Sequence, residues 1–173
     1  RKTVMLDMEN FFRKKSAKEE EEVLSMLPPK YKKQILCDLY MDHVMHCPLF
    51  QKMDSNILLK LCTTLHPYTA AEGDEVIREC EAGEEMFMVI RGEMQVESQS
   101  LPLMHLKEFR NGAFFGELPV LRLGIGKLYN KHPYSAKVVR GCLSADLAYL
   151  TREDIERMSV DYSEFRRMMT AMA

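Results

Sequence analysis

Apolar residues recur at three- and four-residue steps through the first third of the chain. They then alternate between glycines, and finally return to helical spacing. Val4, Met5, Met8, Phe11 and Phe12 form one stripe and predict a helix over residues 1–24. Leu27-Pro28-Pro29-Lys30 interrupts it, and Pro29 suits the first turn of a second helix. Ile35, Leu36, Leu39, Tyr40, Val44 and Met45 carry that helix from Tyr31 to His46, and Pro48 stops it. Leu49 and Phe50, then Ile57, Leu58, Leu61 and Leu65, mark a third helix, with Asp54 or Ser55 as its N-cap.

After His66-Pro67 the period changes. Gly73, Gly83, Gly92, Gly112 and Gly116 separate short β-type runs: Glu75–Arg78, Met86–Ile90, Met94–Val96 and Leu103–Leu106. Gly92 reads as a hairpin turn, and Ser135–Val139 and Ala145–Leu150 are two further strands. Thr151 with Asp154 makes a capping-box start for a helix bearing Ile155 and Met158. Ser163 opens a last helix containing Phe165, Met168, Met169 and Met172. Helices, about eight strands with one short inserted helix, then helices again: this order predicts an α+β fold with segregated elements. The glycine spacing suits a meander or jelly-roll.

The bulk composition narrows the function. The 173 residues include 24 basic and 26 acidic side chains for a net charge of −2, which argues against a nucleic-acid surface. Hydrophobic content of 46% supports a real core. The five cysteines, Cys37, Cys47, Cys62, Cys80 and Cys142, are scattered and lack C-x-x-C spacing, which suits free thiols in a reducing cytosol. No apolar run approaches the roughly 20 residues that span a bilayer, so the sequence reads as a soluble piece; its start at Arg1 suggests a part of something larger. Nucleophile-elbow, zincin and P-loop motifs are all missing from the sequence, which argues against an enzyme; no metal or cofactor is called for.

The chemistry concentrates at Gly112-Ala113-Phe114-Phe115-Gly116-Glu117-Leu118-Pro119. Glycine lets the backbone approach a ligand, the following N–H groups suit an anion, and Glu117 can accept from ribose hydroxyls. Together with Pro48-Leu49-Phe50, Glu72-Gly73-Asp74-Glu75-Val76-Ile77 and Met88-Val89-Ile90-Arg91-Gly92, this segment resembles a cyclic-nucleotide-binding domain. The resemblance implies an eight-stranded antiparallel β-roll of jelly-roll type over residues 48–173, with a phosphate cassette at 112–136 and a lid helix at 163–173. Residues 1–47 resemble a shortened helical C-linker of the hyperpolarisation-activated and ether-à-go-go channel group. Asp161-Tyr162-Ser163-Glu164-Phe165-Arg166-Arg167 resembles the end of such channel domains.

Carried onto this chain, the resemblance implies ligand contacts from Phe115, Gly116, Glu117, Leu118 and Ser135, a base-facing Val96, and a lid arginine at Arg167. The family's cassette closes on Arg-Ser/Thr-Ala; here the triplet is Tyr134-Ser135-Ala136, and 17 positions separate Tyr134 from Glu117 where the family uses roughly half as many. A missing charge-assisted contact costs about 1.5–3 kcal/mol, which sets ordinary tight binding of cAMP or cGMP against these residues. Substitute phosphate contacts are Arg122, Lys127 and Lys131; alternatively Tyr134 serves another ligand, or a protein segment fills the pocket. Pro119 also removes an N–H that the family usually offers.

The function implied is a cytoplasmic regulatory module of a membrane cation channel, potassium or mixed-cation, coupling pocket occupancy to gating. Its partners would be a cyclic nucleotide or a pocket-filling segment, the pore domain, and three more copies in a homotetramer. The alternatives are a non-binding interaction and assembly scaffold, or a cyclic-nucleotide-dependent kinase regulatory-type domain.

Overall fold

Paired prolines set the first boundary of the fold. A computed structural model of the chain describes residues 17–100, 107–121 and 130–172. Helix α1 spans Ala17–Met26, and α2 spans Pro29–His46 with Pro29 at its first position, where the missing N–H costs nothing. Leu36, Tyr40 and Val44, four residues apart, form the buried stripe of α2. Cys47 ends it in an extended conformation (φ −69°, ψ 119°), as a residue before proline must. Asp54 caps α3 (Ser55–Thr64) by accepting from the Asn56 N–H at 2.8 Å.

Eight strands follow among the described residues: β1 His66–Ala71, β2 Glu75–Ile77, β3 Glu85–Arg91, β4 Met94–Glu97, β5 Lys107–Phe109, β6 Phe114–Phe115, β7 Ser135–Val138 and β8 Ser144–Thr151. They form two antiparallel four-stranded sheets, ordered β1-β8-β3-β6 and β2-β7-β4-β5. Short helix α4 (Glu117–Val120) follows β6, and α5 (Arg152–Asp161) and α6 (Ser163–Met172) close the described chain. The expected α+β class with eight antiparallel strands is present, and among the described residues no strand of one sheet pairs with a strand of the other, so the two sheets do not close into one.

The first sheet is covered on both faces. Met86, Phe87, Met88 and Val89 of β3 are all buried, which explains why that run is continuously apolar rather than alternating. Phe87 and Val89 pack inward with Val96, Ala136 and Leu147 between the sheets. Met86, Met88, Ala148 and Leu150 face the helices with Leu36, Leu61, Ile155 and Phe165. The second sheet alternates: Met94 and Val96 are buried while Gln95 and Glu97 are half-exposed.

The expected helix over 1–24 is seen from Ala17 onward, and residues 1–16 and the strand assigned to Leu103–Leu106 lie outside the described residues. Three strands were not anticipated: β1, where Pro67 sits in an edge strand, β5, and the two-residue β6. The hairpin expected at Gly92 is corrected: Gly92 (φ +100°) turns the chain from β3 to β4, but the two strands lie in different sheets and do not pair. Thr151 and Asp154 form the expected capping box on α5.

Candidate functional site

The cassette is a backbone device before it is a side-chain one. Gly112 (φ +82°) and Gly116 (φ +78°, ψ 5°) both hold left-handed conformations, which glycine adopts without the Cβ penalty. Gly112 N–H donates to Val89 O and Val89 N–H to Ala113 O, both at 2.8 Å, and so fasten the loop to β3. Gly116 then reverses the chain into α4, whose one turn is closed by Leu121 N–H donating to Glu117 O at 2.8 Å. A Cβ at Gly116 would lie 3.0 Å from Glu85 O. The loop is therefore seated against β3 and does not lie in a regular strand.

Glu117 is half-buried at the first position of α4, with its Oε2 buried. Its carboxylate lies within electrostatic reach of two groups from different parts of the fold. Burial pushes the Tyr134 hydroxyl well above its ordinary range; Glu117 adds to this, and the Gly116 N–H at the phenol oxygen works the other way. Burial likewise pushes the Cys47 thiol up to about 11, with Glu117 again contributing. The Tyr134 hydroxyl and the Cys47 thiol thus both feel the charge of the cassette's acid.

Tyr134 is 5% exposed and belongs to the core between the sheets. Its ring centroid is 6.2 Å from that of Phe109, which stacks on Phe115 at 5.6 Å; Phe115 stacks in turn on Phe87 at 5.4 Å. Phe115 and Val96 are fully buried, and both are core side chains in this structure. Ser135 lies at the alternate position of β7, and its hydroxyl accepts from the Glu79 N–H at 3.0 Å. Leu118 is half-buried on α4, beside Pro119 and Val120. Lys131 is exposed in an isolated bridge to Ala82, and Arg167 is exposed on α6. Arg122 and Lys127 lie outside the described residues. The structure therefore gathers Gly116, Glu117 and Tyr134, and leaves Ser135, Lys131 and Arg167 engaged elsewhere or in solvent.

Two residues that sequence reasoning missed lie behind the cassette. Arg152 opens α5 with a side chain only 13% exposed. Its Nη2 donates to Gly83 O (3.0 Å), Pro119 O (3.1 Å) and Asn130 Oδ1 (3.2 Å), and its Nε donates to Glu84 Oε2 (2.6 Å). One guanidinium thus joins the end of α4 to the start of α5. A cation in the first turn of a helix opposes the helix dipole, and that was the signal available in the sequence. His132 is 4% exposed, and a Cβ at Gly83 would lie 2.5 Å from both His132 Cε1 and Pro119 Cγ. Its Nδ1 is buried without a hydrogen-bond partner, and burial holds the imidazole below its ordinary pKa.

With this geometry in place, the comparisons with known proteins point to one group of relatives. The chain has homologues among cyclic nucleotide-gated channels. It is 24% identical over 155 residues to the human cyclic nucleotide-gated channel alpha-3, covering 90% of this chain and 22% of that protein. Identity and coverage of this chain are the same for the cyclic nucleotide-gated cation channel of Ictalurus punctatus, of which 22% is matched. They are also the same for the rod photoreceptor subunit alpha of Gallus gallus, of which 23% is matched. The chain thus spans about a fifth of the length of the curated relatives it matches. No protein-family model matches it. Among the described residues no helix is long and apolar enough to cross a membrane.

Proposed function

We propose that the chain is a cyclic-nucleotide-binding regulatory module of a cation channel, placed on the cytoplasmic side and not an enzyme. The observation that carries this reading is the left-handed Gly116 delivering a half-buried Glu117 beside the inter-sheet core, in a chain whose homologues are channels named for that ligand. On this reading the two sheets are the halves of a β-roll, residues 1–47 are a linker to the pore, and residues 163–173 are the lid. Occupancy of the cassette shifts the lid, and with it α2, by differential affinity for two arrangements of the helices. The proximity of Glu117 to Cys47 gives that shift a short route to the linker.

Tyr134 in place of a guanidinium makes the site a weak one: losing a charge-assisted contact of about 1.5–3 kcal/mol lowers affinity by roughly ten- to a hundredfold. The finer assignments rest on the sequence motifs: the grouping with hyperpolarisation-activated and ether-à-go-go channels, a potassium or mixed-cation pore, and a homotetramer.

Amide hydrogen exchange with and without cAMP or cGMP tests the proposal. Slower exchange in both residues 112–121 and α5–α6 is expected. Unchanged exchange at saturating nucleotide would reject it. A second reading, an assembly scaffold whose cassette is filled from within, is favoured by the Tyr134 phenol already facing the Gly116 N–H.

A further inference from the structure

A cleft of about 440 Å³ opens between α2, α3 and the α5–α6 junction, away from the cassette. Its volume lies within the roughly 300–1,000 Å³ typical of small-ligand sites. The floor is apolar, from Leu36 and Leu59, and Tyr162 contributes from the α5–α6 junction. Lys32 and Lys33 from α2 and Lys60 from α3 line it, and all three are exposed. Among the described residues none of these three ammonium groups is in an ion pair, and no carboxylate lines the cleft. The nearest charge of opposite sign along α3 is Asp54, whose Oδ1 is occupied by the Asn56 N–H.

The same wall carries the start of the 18-residue α2, which has no side-chain cap and no acidic residue in its first turn. Its positive end therefore adds to the field of the lysines instead of being offset. Thr63 lines the cleft, and its hydroxyl donates to Lys60 O at 2.9 Å, which leaves its lone pairs able to accept but not its proton to give. The side-chain donors lining the cleft are thus the three ammonium groups, the Asn56 amide and the Tyr162 hydroxyl. Three like charges within one cleft repel one another in the empty protein, and a multiply charged guest relieves that repulsion on binding.

We propose that this cleft is a second ligand site, for a molecule bearing two or more phosphate groups, separate from the cassette. Lysine ammonium groups suit phosphate as point charges, and the apolar floor accepts the uncharged body of such a molecule. Because the cleft is walled by α2, α3 and Tyr162, its guest ties α2 and α3 to the C-terminal helices. The same chemistry is offered by a soluble polyphosphate and by a phosphorylated lipid headgroup.

The test uses the whole chain, with inorganic tripolyphosphate as the soluble probe. Vesicles of phosphatidylcholine containing a minor fraction of a phosphatidylinositol bisphosphate are the lipid probe. The cleft variant is Lys32→Gln/Lys33→Gln/Lys60→Gln. The control variant, Lys52→Gln/Arg110→Gln/Arg157→Gln, removes the same charge elsewhere. Both change exposed side chains, and circular dichroism confirms folding. Saturable binding of one tripolyphosphate per chain is expected, weakened at least about tenfold in the cleft variant and less than about threefold in the control. Binding to vesicles alone, with the same dependence on the two variants, supports the site with a lipid as its source. No binding of either probe, or equal loss in both variants, would overturn it. Glu117→Gln leaves the result unchanged if the two sites are separate, so failure of the nucleotide reading does not bear on this one.

Discussion

Asp154 shows how one carboxylate can hold a helix start and a strand end together. Its Oδ2 accepts from the Thr151 N–H (3.1 Å) and hydroxyl (2.7 Å), and His66 Nε2 lies 3.1 Å away at the start of β1. Burial alone would raise its pKa; the Thr151 donors and His66 outweigh that and hold it below the ordinary aspartate value. Asp154→Ala is expected to cost about 1–2 kcal/mol, read as a lower urea midpoint at neutral pH. A depressed carboxylate pKa means stability that is present above the unfolded value and lost as pH falls through the folded one. The gap between variant and parent should therefore close below about pH 4. The capping box was readable from Thr151 and Asp154 alone because its partners are three residues apart. His66, 88 positions away from Asp154, was not, and neither was the aromatic stack that encloses Tyr134. Local hydrogen bonds are written in spacing, whereas packing partners are set by topology.

At the scale of elements, one glycine and one arginine set how strands and helices meet. Gly92 combines φ +100° with a Cβ position 2.9 Å from Ala145 Cα, so β8 backbone passes directly over the β3–β4 turn. Gly92→Ala is expected to lower stability by about 2 kcal/mol or more, measured as a drop in Tm, because both the conformation and the space are wrong. Arg152→Met removes the clamp between the 83–84 turn, α4 and α5. It should cost about 2–3 kcal/mol and speed amide exchange around 83–85 and 119–121 more than in β1 or β8. The helices α2, α3, α5 and α6 and the strands β2, β3, β4, β7 and β8 were legible in sequence. The strands β1, β5 and β6 were not: Pro67 disguises β1, and β5 and β6 are defined by their long-range pairing with β4 and β3.

For the molecule as a whole, acid should act in two steps. His132 and His43 are both held below 6.5, chiefly by burial, so the folded protein keeps them neutral while the unfolded chain takes up protons. Their stabilising contribution is complete above about pH 6.5 and shrinks as pH falls below it. The Asp154 contribution goes later, below about pH 4. Chemical denaturation across pH 7.5 to 5 should show a declining midpoint, and His132→Gln should flatten that slope. The sequence disclosed the α+β order and the glycine-bounded cassette. It did not disclose that the cassette's acid acts electrostatically on both Tyr134 and Cys47, groups 87 positions apart that only the assembled cores bring within its reach.

Calorimetric titration of the chain with cAMP and cGMP, beside Glu117→Gln and Tyr134→Arg, goes most directly to the central claim. The account predicts saturable 1:1 heat in the parent, loss of that heat in Glu117→Gln, and roughly ten- to a hundredfold tighter binding in Tyr134→Arg. Absence of saturable heat in parent and Tyr134→Arg alike, with both folded, would contradict it.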